Sequence, residues 1–290
     1  MRFFVSFLIF LQCSLNGIEI DSLNRLFSHS TIPFDYPLNI SVIPGKSNDE
    51  NVLICLHGFG GNYAIAGVLK SYEVINDHLV SFNFPDHDIA NAGYNPHKTA
   101  FGTIQELLPV LYLLKRCAVD GKAKAVSLYG FSAGGGAVIN TVAVLNSSAY
   151  DGQLQKIGIL KEHKKTILEA LQRGYIILDA PLKSMEEVLD HQGKSYELTI
   201  IAKRYRKNKL RPIDSIKQLN DLSLNILVYF EEPDEVLSNR GDNQFIQQLE
   251  KINVKGKTVA IRGKSEGHNG YHQLLWSSYP SFIYAQIRPN

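Results

Sequence analysis

Hydrophobic residues in this chain arrive mostly as short continuous runs. Asn51 to Leu56 (NVLICL), His78 to Phe84 (HLVSFNF), Ala125 to Phe131, Tyr175 to Leu178 (YIIL), Asn225 to Phe230 (NILVYF) and Thr258 to Ile261 (TVAI) are each too short for a helix of ordinary length. A strand apolar on both faces has to be covered on both, which is the condition of a parallel sheet between helices. Helical periodicity fills the gaps. A short helix is expected over Ala64 to Ser71, and Thr103 with Glu106 reads as a capping box ahead of Leu107, Leu108, Leu111, Leu113 and Leu114, giving a helix to Lys115 that Pro109 bends. Small residues from Ala133 open another helix running to Leu145. Ile157, Leu160, Ile167, Leu168 and Leu171 predict one that ends at Gly174, and Asn243 to Lys251 predicts the next. Leu38 to Ile43 alternates between prolines, as an edge strand does, and Gln273 to Gln286 is expected to cover the sheet at the end. The fold class expected is α/β: a mostly parallel central sheet with helices on both faces. Residues 182–222 interrupt the alternation with an excursion longer than a connection needs, a lid-like insertion.

The first residues change the picture of where the protein acts. Met1 and Arg2 precede the apolar run Phe3 to Leu11, the form of a signal peptide, here taken as residues 1–17 with a single domain over 18–290. The run falls short of the roughly 20 apolar residues that span a bilayer. Export is therefore expected, with a retained anchor or lipid attachment at Cys13 as the alternatives. Net charge of +2 and 20% charged residues force no face to be strongly basic, which argues against a dedicated nucleic-acid binder. The basic run Lys203 to Arg211 reads as a solvated face of the insertion, or alternatively as a contact for anionic substrate or lipid head groups. Cys55 and Cys117 lie in apolar segments as small buried hydrophobes. The chain lacks C-x-x-C pairs and H-E-x-x-H, so neither a metal nor a cofactor is expected.

Chemistry concentrates at Gly130-Phe131-Ser132-Ala133-Gly134. Strand, sharp turn and helix in succession would lift the Ser132 hydroxyl above the sheet edge, with the glycines two places either side allowing the bend. A serine hydroxyl is a weak nucleophile until a base takes its proton and a third group holds that base. His268, in the loop Gly267-His268-Asn269-Gly270 after the last strand, suits the base, and Asp234, in the turn after NILVYF, suits the orienting acid. Asp179, closing the preceding strand, is the alternative acid. His87, His97 and His272 are the rival histidines. Backbone N–H groups of Ala133 and of Phe59, with Gly60 next, would hold the oxyanion; His57 then shapes the loop by hydrogen bonding rather than acting as a second base. Phe59, Tyr94 and Phe131 are candidates for an acyl pocket, or equally for core.

These features together resemble the α/β-hydrolase superfamily: His57-Gly58-Phe59-Gly60 after an early strand, Pro85-Asp86-His87, Gly130 to Gly134, Pro233-Asp234-Glu235-Val236 and Gly267 to Gly270. The order Ser132, Asp234, His268 is the family's order. The resemblance implies a serine hydrolase that cleaves a carboxylic ester of a small acyl substrate through an acyl-enzyme. An exported peptidase, an acyltransferase and a catalytically idle binding protein of the same fold are the alternatives.

Overall fold

The described residues of this computed structural model are 26–27, 38–45, 51–59, 61–70, 77–85, 102–192, 199–200, 202–203, 210–231, 234, 236–237, 242–253 and 255–263. Seven strands among them form one sheet: β1 (Ile40–Ile43), β2 (Asn51–Leu56), β3 (His78–Phe82), β4 (Ala125–Phe131), β5 (Ile176–Asp179), β6 (Asn225–Glu231) and β7 (Lys257–Gly263). Their order across the sheet is β1-β3-β2-β4-β5-β6-β7. Pairing is parallel throughout except that β1 runs antiparallel to β3 at the edge. The helices between strands are α1 (Ile65–Lys70), α2 (Ile104–Lys115), α3 (Ala133–Asn146), α4 (Asp151–Lys156), α5 (Lys161–Arg173), α6 (Met185–Gln192), α7 (Pro212–Ser215) and α8 (Asp242–Ile252).

The period of two along each strand sorts the apolar runs onto two cores. Val52, Ile54 and Leu56 of β2 join Val126 and Leu128 of β4, Val110 of α2, Val138 of α3, Ile167 of α5 and Phe245 of α8. Leu53 and Cys55 face the other way, with Tyr129, Ile177, Tyr229 and the α1 residues Ala66 and Leu69. Cys55 and Cys117 are free and buried, and burial pushes each thiol well above its ordinary range.

Three local expectations need correction. Thr103 makes no side-chain cap bond; Glu106 reaches back to the N–H of Gly102 at 2.6 Å, so the carboxylate caps the turn and the hydroxyl does not. The helix expected from Ile157 is split. Gly158 sits at φ +76 and ends the segment that includes α4, and α5 starts afresh at Lys161, leaving Leu160 exposed. Strand β3 stops at Phe82 rather than Phe84, because the Phe84 N–H turns to His57 Nε2 at 3.1 Å. The expected signal peptide, the segment Gln273 to Gln286 expected to cover the sheet and most of the basic run lie outside the described residues. Among the described residues no helix is long and apolar enough to cross a membrane.

Strand order places the crevice. From β2 the chain crosses to β3 on one side, and β4 then pairs with β2 on the other and leads to β5. The connections leaving β2 and β4 therefore diverge, which makes the carboxyl ends of these two neighbours the topological switch point, where open α/β sheets form their crevice.

The excursion after β5 is anchored from beneath by α3. Buried Asn140 donates to the Leu210 carbonyl at 2.9 Å and accepts from the Ser215 hydroxyl at 2.7 Å, tying α7 to the helix behind the cleft. Asn140→Ala removes both bonds and strands their buried partners. The expected loss is about 3 kcal/mol, read as a lower urea midpoint with an unchanged m-value.

Candidate active site

Ser132 stands between β4 and α3 at φ 52, ψ −116, a conformation that a side-chain-bearing residue adopts only under constraint. The constraint is visible. Its N–H donates to the Asp179 carbonyl at 2.8 Å, and its carbonyl accepts from Leu182 N–H at 2.9 Å and Gly136 N–H at 3.2 Å. The flanking glycines act differently from the sequence expectation, since the positive φ belongs to the serine itself. A Cβ on Gly130 would lie 2.5 Å from the Gly134 carbonyl oxygen, and one on Gly134 would lie 2.4 Å from that of Leu56. They are spacers that let strand, helix and β2 meet. Ser132 is 8% exposed, at the amino-terminal end of a 14-residue helix whose partial positive charge favours an anion there.

The loop leaving β2 comes directly against the serine. A Cβ on Gly58 would meet Ser132 Cβ at 3.2 Å and the Phe131 ring at 2.9 Å, so a bare backbone is what fits. His57 is buried and fixes this loop. Its Nε2 accepts from Phe84 N–H, which leaves the proton on Nδ1, and Nδ1 donates to the Gly58 carbonyl at 2.7 Å. Gly61 N–H donates to the same carbonyl at 3.0 Å. A trans peptide points its carbonyl and N–H in opposite directions, so pinning the Gly58 carbonyl fixes where the Phe59 N–H points. Phe59 is 37% exposed, whereas Phe131 packs against the α1-side core. Gly60 and Tyr94 lie outside the described residues.

The two candidate acids are held differently. Asp234, 5% exposed, follows β6, and its Oδ1 accepts from Val236 N–H at 2.8 Å and Leu237 N–H at 2.7 Å. Asp179 is the last residue of β5, fully buried, and its Oδ2 accepts from the Tyr129 hydroxyl at 2.5 Å. His268 and its rivals His87, His97 and His272 are outside the described residues.

Two further groups flank the cleft that the chain pattern did not reveal. Ala133 packs with Leu182, Met185, Val188, Ala202 and Leu237, so the excursion, the elbow and the turn after Asp234 share one small apolar cluster. Beside it Lys183 Nζ lies 2.6 Å from Glu187 Oε2 and 2.6 Å from Asp242 Oδ1, all three side chains nearly buried. Burial pushes the Glu187 carboxyl up to about 7, against the pull of Lys183 and with help from the Asp242 charge. Asp242 is also raised, first by burial; Lys183 and Arg262 oppose this and the Asp234 charge adds to it. The spacing of Lys183 and Glu187 was a signal in the sequence, but such pairs usually sit on solvated helix faces. Among the described residues no group of His, Cys, Asp and Glu is arranged to hold a metal ion.

The fold is that of the α/β hydrolases. An esterase/lipase from Lactobacillus plantarum superposes with a TM-score of 0.55 at 16% identity, over 86% of this chain and 94% of that one. Est1E from Butyrivibrio proteoclasticus, solved with ferulic acid bound, gives 0.52 at 17% identity over 87% and 96%. An acylaminoacyl peptidase from Pyrococcus horikoshii gives 0.57 at 12% identity, over 88% of this chain and 40% of that longer one. No family model matches the sequence, and no curated protein matches it.

The buried Glu187 makes stability depend on pH with a definite sign. Its folded value near 7 lies above the ordinary 4.5, so the folded state holds a proton that the unfolded chain releases. The resulting stabilisation is complete below about pH 4.5 and is lost as pH rises through about 7, on the order of 2–3 kcal/mol in total. Glu187→Gln cannot ionise. Its melting temperature relative to wild type is expected to rise steadily from pH 5 to pH 8 in thermal melts of both proteins.

Proposed function

From an α/β-hydrolase fold with a serine at the elbow, we propose that the protein is a cofactor-independent serine hydrolase of carboxylic esters. One observation carries the reading: Ser132 is held in a strained left-handed conformation at the helix amino terminus, with the bare backbone of Gly58 at its side. Backbone strain of this kind clusters at active sites, where the surrounding structure over-determines it. It lifts the hydroxyl out of the sheet edge.

In this reading His268 takes the proton from Ser132 Oγ as the oxygen attacks the ester carbonyl carbon. The oxyanion forms between the N–H groups of Ala133 and Phe59, and each such donor contributes roughly 3–4 kcal/mol. Collapse expels the alcohol with the proton from His268, leaving an acyl-serine that a water, activated by the same imidazole, hydrolyses. Asp234 orients His268. Its support over Asp179 is its place in a turn beyond β6, with a carboxylate anchored by two backbone N–H groups; Asp179 is tied to Tyr129 within the sheet. The small acyl substrate is an ester, as the names of the esterase and lipase neighbours suggest. The acylaminoacyl peptidase among the neighbours favours peptide cleavage as the second reading. We read residues 182–222 as a lid, because their apolar side chains pack beside Ala133, and residues 1–17 as a signal for export.

Hydrolysis of a p-nitrophenyl ester series, from short to long acyl chains, tests this. Ser132→Ala is expected to lower kcat about 10³-fold or more, and Asp234→Asn about 10²- to 10⁴-fold. Asp179→Asn is expected to cost much less turnover and to act mainly on stability; equal or reversed losses would exchange the two acids. Silence toward esters while a fluorophosphonate still labels Ser132 moves the substrate to peptides. Absence of labelling leaves a binding protein.

A further inference from the structure

A lysine ammonium removed from water has to be matched by carboxylates, and where those carboxylates come from tells what the lysine joins. Lys183 lies on the stretch leaving β5. Glu187 belongs to α6 and Asp242 opens α8, the helix that follows the turn of Asp234. The ammonium also lies 5.3 Å from the ring centroid of Phe230 in β6, and Arg262 of β7 reaches Asp242 at 3.8 Å. Immediately before Lys183, Leu182 N–H is bonded to the Ser132 carbonyl. One side chain thus spans the distance from the backbone that constrains the serine to the helix that receives the acid's turn.

We propose that Lys183 is a positioning residue: clamped between Glu187 and Asp242, it holds the turn carrying Asp234 in register with the backbone of Ser132. The proposal rests on the reading of Asp234 as the acid of the triad. An apolar residue of similar length would fill the space with equal or better stability, since buried ion pairs seldom repay their desolvation. What the ammonium adds is direction. Two carboxylates at 2.6 Å fix the angle between the stretch leaving β5 and the start of α8, and an apolar contact would leave that angle free to slide.

The test uses the full chain carrying Lys183→Met, beside a triple variant that combines it with Glu187→Gln and Asp242→Asn and so carries no charge at the three positions. The triple variant removes the stranded carboxylates, so it folds even where Lys183→Met does not. Two readouts apply to each. On the best ester of the series, kcat is expected to fall 10- to 100-fold with KM within about twofold. Hydrogen exchange at the Val236 and Leu237 amides, which donate to Asp234, is expected to quicken at least tenfold, with Ile177 and Leu178 unchanged. Wild-type kcat and wild-type exchange in the triple variant would overturn the proposal, leaving Lys183 as a neutraliser of buried charge. Asp234→Asn run in parallel separates the two levels: full turnover there removes Asp234 as the acid, whereas the exchange at Val236 and Leu237 judges the clamp without reference to catalysis.

Discussion

A left-handed backbone at a serine is the constraint around which this molecule is arranged. Holding Ser132 at φ 52 costs on the order of 1–3 kcal/mol. Three backbone hydrogen bonds, to Asp179, Leu182 and Gly136, offset it at roughly 1 kcal/mol each. Each of those partners is available only if a larger element is in place. Asp179 requires β5 alongside β4, Gly136 requires the first turn of α3, and Leu182 requires the excursion to begin by folding back over the elbow. The strain is local, but its support comes from the whole centre of the sheet.

The same economy appears in the glycines. Gly134 abuts the carbonyl of Leu56 at the end of β2, and Gly58 abuts Ser132 from the loop that follows. Elbow and loop are therefore packed backbone to backbone at the point where the strand order reverses. Close approach puts the loop's peptide groups within reach of the serine without any side chain intervening. His57 completes the arrangement by spending both ring nitrogens on the backbone, one on Phe84 and one on Gly58. A histidine so committed serves geometry and is not available as a base.

Much of this was legible in the chain because the sheet is buried on both faces, so most central strands appear as short, mainly apolar runs. The elbow was legible from its glycine spacing, although the glycines turned out to serve approach rather than bending. Helix boundaries were less so. Apolar spacing carried the expected helix straight through Gly158, where a positive φ breaks it, and a hydroxyl was credited with a cap that Glu106 provides. Of the Lys183, Glu187 and Asp242 cluster only the i,i+4 spacing of Lys183 and Glu187 showed in the chain, and nothing there marked it as buried. Its members are ordinary surface residue types, and their burial depends on segments about 60 residues apart coming together.

Asp179, the alternative acid in the sequence, also carries a structural task. It stands at the end of a central strand, beside Ser132. Its carbonyl takes the Ser132 N–H while its carboxylate takes the hydroxyl of Tyr129, three residues earlier on the neighbouring strand. Both bonds join β5 to β4, one just before the elbow and one at it. Asp179 therefore stiffens the strand pair from which Ser132 is displayed.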